Sequence, residues 1–499
     1  MAANQLRARD PKKLRPYDEP PRESRPLIPN APDSAATAFM VLALLWLAAA
    51  TGIGVLWGAM LLAPDRMSAT FAVQAPIIGQ LDIELSPATV QSGFTNAVVF
   101  GWLSNAAFAA ICFITPRVTG ARLASDAMAF ASAGAWNVAV AAGVAAVYMP
   151  AITPEGPLAE FPLPVDGLLL LGALGVTLVL LRTLLAARER VPYVSIWFFG
   201  VGLLAMMGAY ALGSVPPLLG MDQTASLLVT GFAARAIATY WVLGAAFGTL
   251  FYLVPRATAN PLASGGMAWL TWLLWAGFSG LSALGALVDP SVPYAVTTIG
   301  NAGTILLIGP AFLVVANLFL TMSGRWTLML GAGTVAFAAI GAAFLLGTAL
   351  LESIGALRSV QALVRNTEWV SGIWLWASLG TATFASLALV DHAAPRVLRR
   401  SWRGGLLTDA TLWLTFLGVT VAGLSLMFGG IAHGSLLAEG APPEEVTATL
   451  SWFWYGAFSG LGLIALGGLA ALVNLFVMYT TARRAEYVPA GSPAAAAGH

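Results

Sequence analysis

The chain has 499 residues, of which 58% are hydrophobic and 9% charged, with a formal net charge of +1. A soluble globular chain carries about 25% charged residues, so these values and a mean hydropathy of +0.80 exclude a soluble enzyme and leave no basic field for nucleic acid. The single cysteine, Cys112, lies in an apolar run, which excludes an intrachain disulfide and a cysteine-based zinc site.

Residues 1–35 contain seven prolines and seven basic residues and no apolar run. This reads as a disordered cytoplasmic leader, because a signal peptide needs an apolar stretch of roughly 7–15 residues. A membrane-spanning helix needs about 20 mostly apolar residues. Runs of that kind predict helices over 36–63, 88–116, 124–150, 166–187, 192–215, 225–254, 263–288, 294–322, 327–351, 367–390, 405–430 and 450–480. The expected architecture is an all-α membrane protein of about twelve helices, with one transmembrane domain over 36–484. Its connections look too short for a separate soluble domain. Residues 485–499, which begin within Glu486-Tyr487-Val488-Pro489, read as a second disordered tail.

Cytoplasmic loops of membrane proteins collect Lys and Arg. With the N-terminus placed in the cytoplasm, twenty of the 24 basic residues fall inside; only Arg66, Arg358 and Arg365 fall outside, and Arg235 lies within a helix. The tail's Arg483 and Arg484 fall inside only for an even number of helices, so both termini are expected in the cytoplasm of a bacterial inner membrane. The 52 glycines suit close helix packing in lipid.

Several motifs from helix 2 to helix 10 resemble subunit I of the heme-copper oxidases, and within it the cbb3-type cytochrome c oxidase branch. Helix 2 carries Phe94-Thr95-Asn96-Ala97, helix 6 ends in Tyr252-Leu253-Val254-Pro255-Arg256, and helix 7 carries Trp275-Ala276-Gly277-Phe278-Ser279-Gly280-Leu281. Helix 8 ends in Asn317-Leu318-Phe319-Leu320-Thr321-Met322-Ser323-Gly324-Arg325-Trp326, and helix 10 contains Ser371-Gly372-Ile373-Trp374-Leu375-Trp376-Ala377-Ser378-Leu379-Gly380. The resemblance implies respiratory electron transport and dioxygen reduction at two hemes and a copper ion, held by six histidines.

This chain has three histidines, His392, His433 and His499, all outside the predicted spans. The resemblance maps the heme ligands onto Phe94, Ile373 and Leu375, the copper ligands onto Arg235, Ser279 and Gly280, and the branch's tyrosine onto Leu273. None of these is an imidazole. On that mapping the chain is expected to bind no cofactor or metal and to have no catalytic residues of its own. Phe94, Trp374, Leu375 and Trp376 are expected to fill the vacated heme space.

Arg235 lies about ten residues into its predicted helix. A charge at that depth is costly unless paired, so a buried ion pair with Glu352 is expected. Asn96, Asn105, Tyr240, Ser279 and Asn317 are expected to make helix–helix hydrogen bonds or to line a proton route. The favoured function is a degenerate oxidase-type subunit that scaffolds a respiratory complex, with lipid and other membrane subunits as partners, such as a c-type cytochrome subunit, or that conducts protons. The alternative is a secondary transporter, which also uses twelve helices but places ionisable residues at the midplane.

Overall fold

In the computed structural model, the structure describes residues 32–75, 79–154, 156–187, 192–331, 333–400, 402 and 405–481. Residues 1–31 of the leader, the tail, His499 and several of the loop arginines lie outside these residues, and the first helix takes in Ser34 and Ala35, which were expected in the leader. Among the described residues, twelve helices are long and apolar enough to cross a membrane. They are α1 (Ser34–Leu62), α2 (Pro87–Thr119), α3 (Asp126–Ala146), α4 (Leu163–Leu185), α5 (Val194–Leu219), α6 (Gln223–Thr258), α7 (Gly265–Ala286), α8 (Tyr294–Thr321), α9 (Thr334–Gly355), α10 (Glu368–Leu398), α11 (Gly405–Glu439) and α12 (Pro443–Thr480).

Consecutive helices run in opposite directions, so the bundle has two ends. One is the arginine end, where α2, α6 and α10 finish. The other is the hairpin end. The connection between α1 and α2 folds into an antiparallel hairpin of β1 (Ala69–Ala75) and β2 (Gly79–Leu85). The Glu84 amide ties it to the Tyr148 carbonyl at 2.8 Å. Ser86 then caps α2 through a reciprocal bond with Thr89, with Pro87 in the first turn.

Three helices, α2, α6 and α10, form the innermost layer and are the most buried of the twelve. They repeat one plan. Each contains a π-helical segment: Ala97–Leu103, Ile237–Leu243 and Trp376–Ala382. Each then carries a Pro-Arg pair near the arginine end (Pro116-Arg117, Pro255-Arg256, Pro395-Arg396) and stops four residues after the proline in a left-handed residue, Gly120, Ala259 or Arg399.

The third residue of every π segment accepts a side-chain hydrogen bond on its carbonyl. Ser104 Oγ donates to Val99 at 2.8 Å, Thr383 Oγ1 to Ser378 at 3.0 Å, and the Trp275 indole to Thr239 at 2.9 Å. Two more indoles lock the first two hydroxyls from neighbouring helices. Trp241 of α6 donates to Ser104 at 2.8 Å, and Trp102 of α2 donates to Thr383 at 2.8 Å. A wide turn leaves backbone polar groups imperfectly paired in a medium without water. Hydroxyls later in the same helix (Ser104, Thr383) and an indole on the adjacent α7 (Trp275) supply what the backbone lacks.

Outside this layer, α1 packs on α2 and α12, α3 on α4, α5 on α6, α7 on α8, α9 on α10, and α11 on α10 and α12. Asn105 and Asn137 exchange bonds at 3.1 and 2.9 Å, and the Trp46 indole reaches Asn137 at 2.8 Å. Asn317 bonds both the amide and the carbonyl of Ser264.

Candidate functional site

The seam between α6 and α7 gathers the residues expected at the copper position. Arg235 leaves α6 two residues before the π segment. Its Nε donates to Ser282 Oγ at 2.9 Å, and Ser282 shares a 3.0 Å bond with Thr304 of α8. Its Nη1 makes a salt bridge with Glu352 of α9. Deeper in the seam, Tyr240 donates to the Ala276 carbonyl at 2.6 Å, and its hydroxyl lies 2.8 Å from where a Cβ on Gly280 would stand. Ser279 is fully buried between these two contacts.

Arg235 is twelve residues into α6, but α6 is a long helix whose first turns reach beyond its neighbours. Ser282 is four residues from the end of α7, and Glu352 three from the end of α9. The pair therefore sits toward the hairpin end rather than at mid-depth, and its side chains keep 24% and 19% exposure.

The positions expected at the hemes are packed with carbon. Phe94 stacks on Trp57 with ring centroids 5.9 Å apart and meets Trp374 edge-on at 5.5 Å. Its ring lies so near Gly54 that a Cβ there would be 2.7 Å away, which is why α1 needs glycine at this point. Leu375 is buried in the main core, whereas Ile373 faces a separate cluster with Val364, Trp369 and Met427. Trp376 meets Phe344 at 5.3 Å and donates to the Val419 carbonyl at 3.2 Å.

Two expectations need correction. Leu273 is 60% exposed on the outer face of α7, so the structure does not bring the mapped tyrosine position to the seam; Trp275 and Ser279 face inward instead. His392 and His433 are not outside helices, because α10 runs to Leu398 and α11 to Glu439. His392 is buried near the arginine end between the rings of Phe113 and Tyr252. His433 Nδ1 lies 2.9 Å from Glu368 at the hairpin end. Neither approaches the mapped positions.

The hairpin end holds further acids that motif matching missed. Asn96 donates to Glu160 at 2.8 Å and to the Ser92 carbonyl at 2.9 Å. Burial raises the Glu160 carboxyl above its ordinary range, against the lowering effect of hydrogen bonds from Asn96, backbone amides and Ser92. Tyr210 donates to Asp166 at 2.6 Å. Glu160 and Asp166 flank the start of α4, where in sequence they read only as loop acids.

Residues 34–464 match the model of the family described as Cytochrome C and Quinol oxidase polypeptide I. The chain belongs to this family. The cbb3-type cytochrome c oxidase subunit CcoN1 of Stutzerimonas stutzeri is 25% identical over 79% of this chain and 84% of its own length. Cytochrome c oxidase subunit 1 of Rhodobacter capsulatus is 22% identical over 79% of this chain and 78% of its own. A solved heme-copper terminal oxidase dimer superposes with a TM-score of 0.71 at 14% identity, over 90% of this chain and 84% of that one. The heme-copper oxidase subunit I bundle is thus its fold, and it is a multi-pass bacterial membrane protein of a respiratory family whose members work with other subunits.

Membership corrects the expectation that no cofactor is bound: this is a heme- and copper-binding family. The mapped residues were tested for fit to those groups. Phe94, Ile373 and Leu375 offer only carbon, Gly280 has no side chain, Ser279 a hydroxyl and Arg235 a guanidinium committed to Ser282 and Glu352. These are not donors that suit heme iron or copper. The six positions do not fit those roles, and no electron-transfer step is derived through them.

Proposed function

We propose that this chain is a membrane subunit of a respiratory complex that keeps the oxidase bundle as a scaffold for partner subunits. In this reading the six mapped positions serve packing and ion pairing. The observation that carries it is the Arg235–Glu352 salt bridge with its Ser282 support. The bridge and its Ser282–Thr304 support tie α6, α7, α8 and α9 together at this seam. Phe94, Trp57 and Trp374 join α1, α2 and α10 by packing their rings together, since a cavity there would forfeit packing energy. The arginine end faces the cytoplasm in this proposal, with both termini on that side.

Transport of a solute is less well supported. Its substrate sites lie near the midplane, and the Arg235 pair sits toward one end. Proton passage would start from Glu160 and Asp166 at the hairpin end. However, the hydroxyls of Ser104, Ser378 and Thr383 deeper in the bundle are bonded to backbone carbonyls.

The test is purification of the tagged chain from its native membrane. The expected result is a stable complex with other membrane subunits, including one carrying covalent heme visible by peroxidase stain. Any heme in the complex should be unchanged in amount by Phe94→Leu, Ile373→Val or Leu375→Ile. A chain that purifies alone in monodisperse form would defeat the scaffold role, and loss of heme in one of these variants would return that position to the ligand sphere.

A further inference from the structure

Among the described residues, three buried polar side-chain atoms on the helices of the ion pair find no hydrogen-bond partner: Arg235 Nη2, Ser279 Oγ and Thr348 Oγ1. They come from α6, α7 and α9, the helices that hold or flank the Arg235–Glu352 bridge. Ser279 is one turn from Ser282 on α7, and Thr348 is one turn from Glu352 on α9, so residues three or four apart place both hydroxyls beneath the pair on shared helix faces.

The two hydroxyls are unusual for this neighbourhood. Thr230, Thr239, Thr304 and Ser353 all bond the carbonyl four residues back in their own helices. Ser279 and Thr348 do not, although the same carbonyls, of Trp275 and Phe344, are available to them. A hydroxyl that forgoes its own helix and finds no other protein group requires an occupant that the protein does not supply.

We propose that Arg235, Ser279 and Thr348 hold ordered water, and that this water is continuous with the hairpin-side surface past Glu352. Charge selects water over an anion. Arg235 is already neutralised by Glu352, so a bound anion would leave a net negative charge in a low-dielectric interior. Water accepts from the guanidinium and both donates to and accepts from hydroxyls, which matches the unused capacity of all three groups. The partial exposure of Arg235 and Glu352 supplies the opening. This goes beyond the scaffold role and stands or falls separately from it.

The single native cysteine makes thiol access a clean probe. In a Cys112→Ala background, Ser279→Cys and Thr348→Cys are compared with Ser104→Cys, whose native hydroxyl is bonded to Trp241 and Val99. A charged, membrane-impermeant methanethiosulfonate is added to vesicles from the hairpin side. A hydrated thiol ionises far more readily than one buried in apolar surroundings, so Ser279→Cys should react about tenfold or more faster than Ser104→Cys. The rate should not depend on chloride. Thr348→Cys gives the same reading if Ser279→Cys fails to insert. Reaction no faster than at Ser104 overturns the proposal. Saturable protection by chloride or nitrate also overturns it, because the occupant would then be an anion.

Discussion

Removing Arg235 and Glu352 together should cost clearly less than the sum of the two single removals. Single and double replacement, Arg235→Ala, Glu352→Ala and both, form a double-mutant cycle. A fully buried pair that loses one member costs about 3–5 kcal/mol, and an exposed pair about 0–1 kcal/mol. The observed exposures of 24% and 19% place this pair between those limits, so about 2–3 kcal/mol is expected for each single change. Arg235→Ala also loses the bond to Ser282, a charge-assisted contact worth about 1.5–3 kcal/mol when its partner is left unsatisfied. Ser282 retains Thr304, which keeps that figure at the low end. The double variant should then be only slightly worse than Arg235→Ala, giving a coupling of about 2 kcal/mol. Reversible unfolding in mixed detergent micelles, followed by tryptophan fluorescence, measures all four species. Additivity within about 0.5 kcal/mol would show that the two groups do not interact and would remove the basis of the proposed site.

Other expectations follow from the packing. Gly244→Ala would place a Cβ 2.4 Å from Trp275 Cζ2, displacing the indole from Thr239; a loss of about 2–4 kcal/mol is expected, whereas Gly277→Ala, with nothing within 4 Å, should gain up to about 1 kcal/mol. Phe94→Ala should cost about 3–5 kcal/mol in the same unfolding assay by opening a cavity against Trp57 and Trp374; a cost below about 1 kcal/mol would mean that the pocket closes without it. Glu160 has a raised carboxyl in the folded protein, so the sign is that stability is greatest below the ordinary carboxylate range, falls as pH rises through the raised value, and then levels off. Thermal unfolding between about pH 4 and 8 should show that decline in the parent and a flatter profile in Glu160→Gln; an unchanged profile would assign the dependence to another group.

The twelve spans were readable from the chain because the constraint that creates them is local. A helix that must satisfy every backbone group inside lipid needs a continuous apolar run, and such runs announce themselves in composition. Family motifs around Pro255-Arg256, Trp275 and Asn317 were equally local. The helix ends were less readable: α10 and α11 extend past Val390 and Gly430 to Leu398 and Glu439 because polar residues continue a helix once neighbours cap or pair them, as Glu368 does for His433. The hairpin over Ala69–Leu85 was missed, since a short pairing anchored to Tyr148 leaves little pattern in the sequence.

Which residues meet was settled by tertiary packing. The family resemblance mapped the branch's tyrosine onto Leu273, but the rotation of α7 against α6, fixed by Trp275 on Thr239 and Tyr240 on Ala276, turns that position outward. The repeated π segments of α2, α6 and α10 were invisible in hydropathy because a π turn changes hydrogen-bond register without changing composition; the hydroxyl and indole donors to their carbonyls come together only in the packed bundle. Composition dictated that Arg235 needs a partner. The choice of Glu352, 117 residues away, came from the packing of α9 beside α6, because the cost of an unpaired charge is a matter of surroundings that no single helix contains.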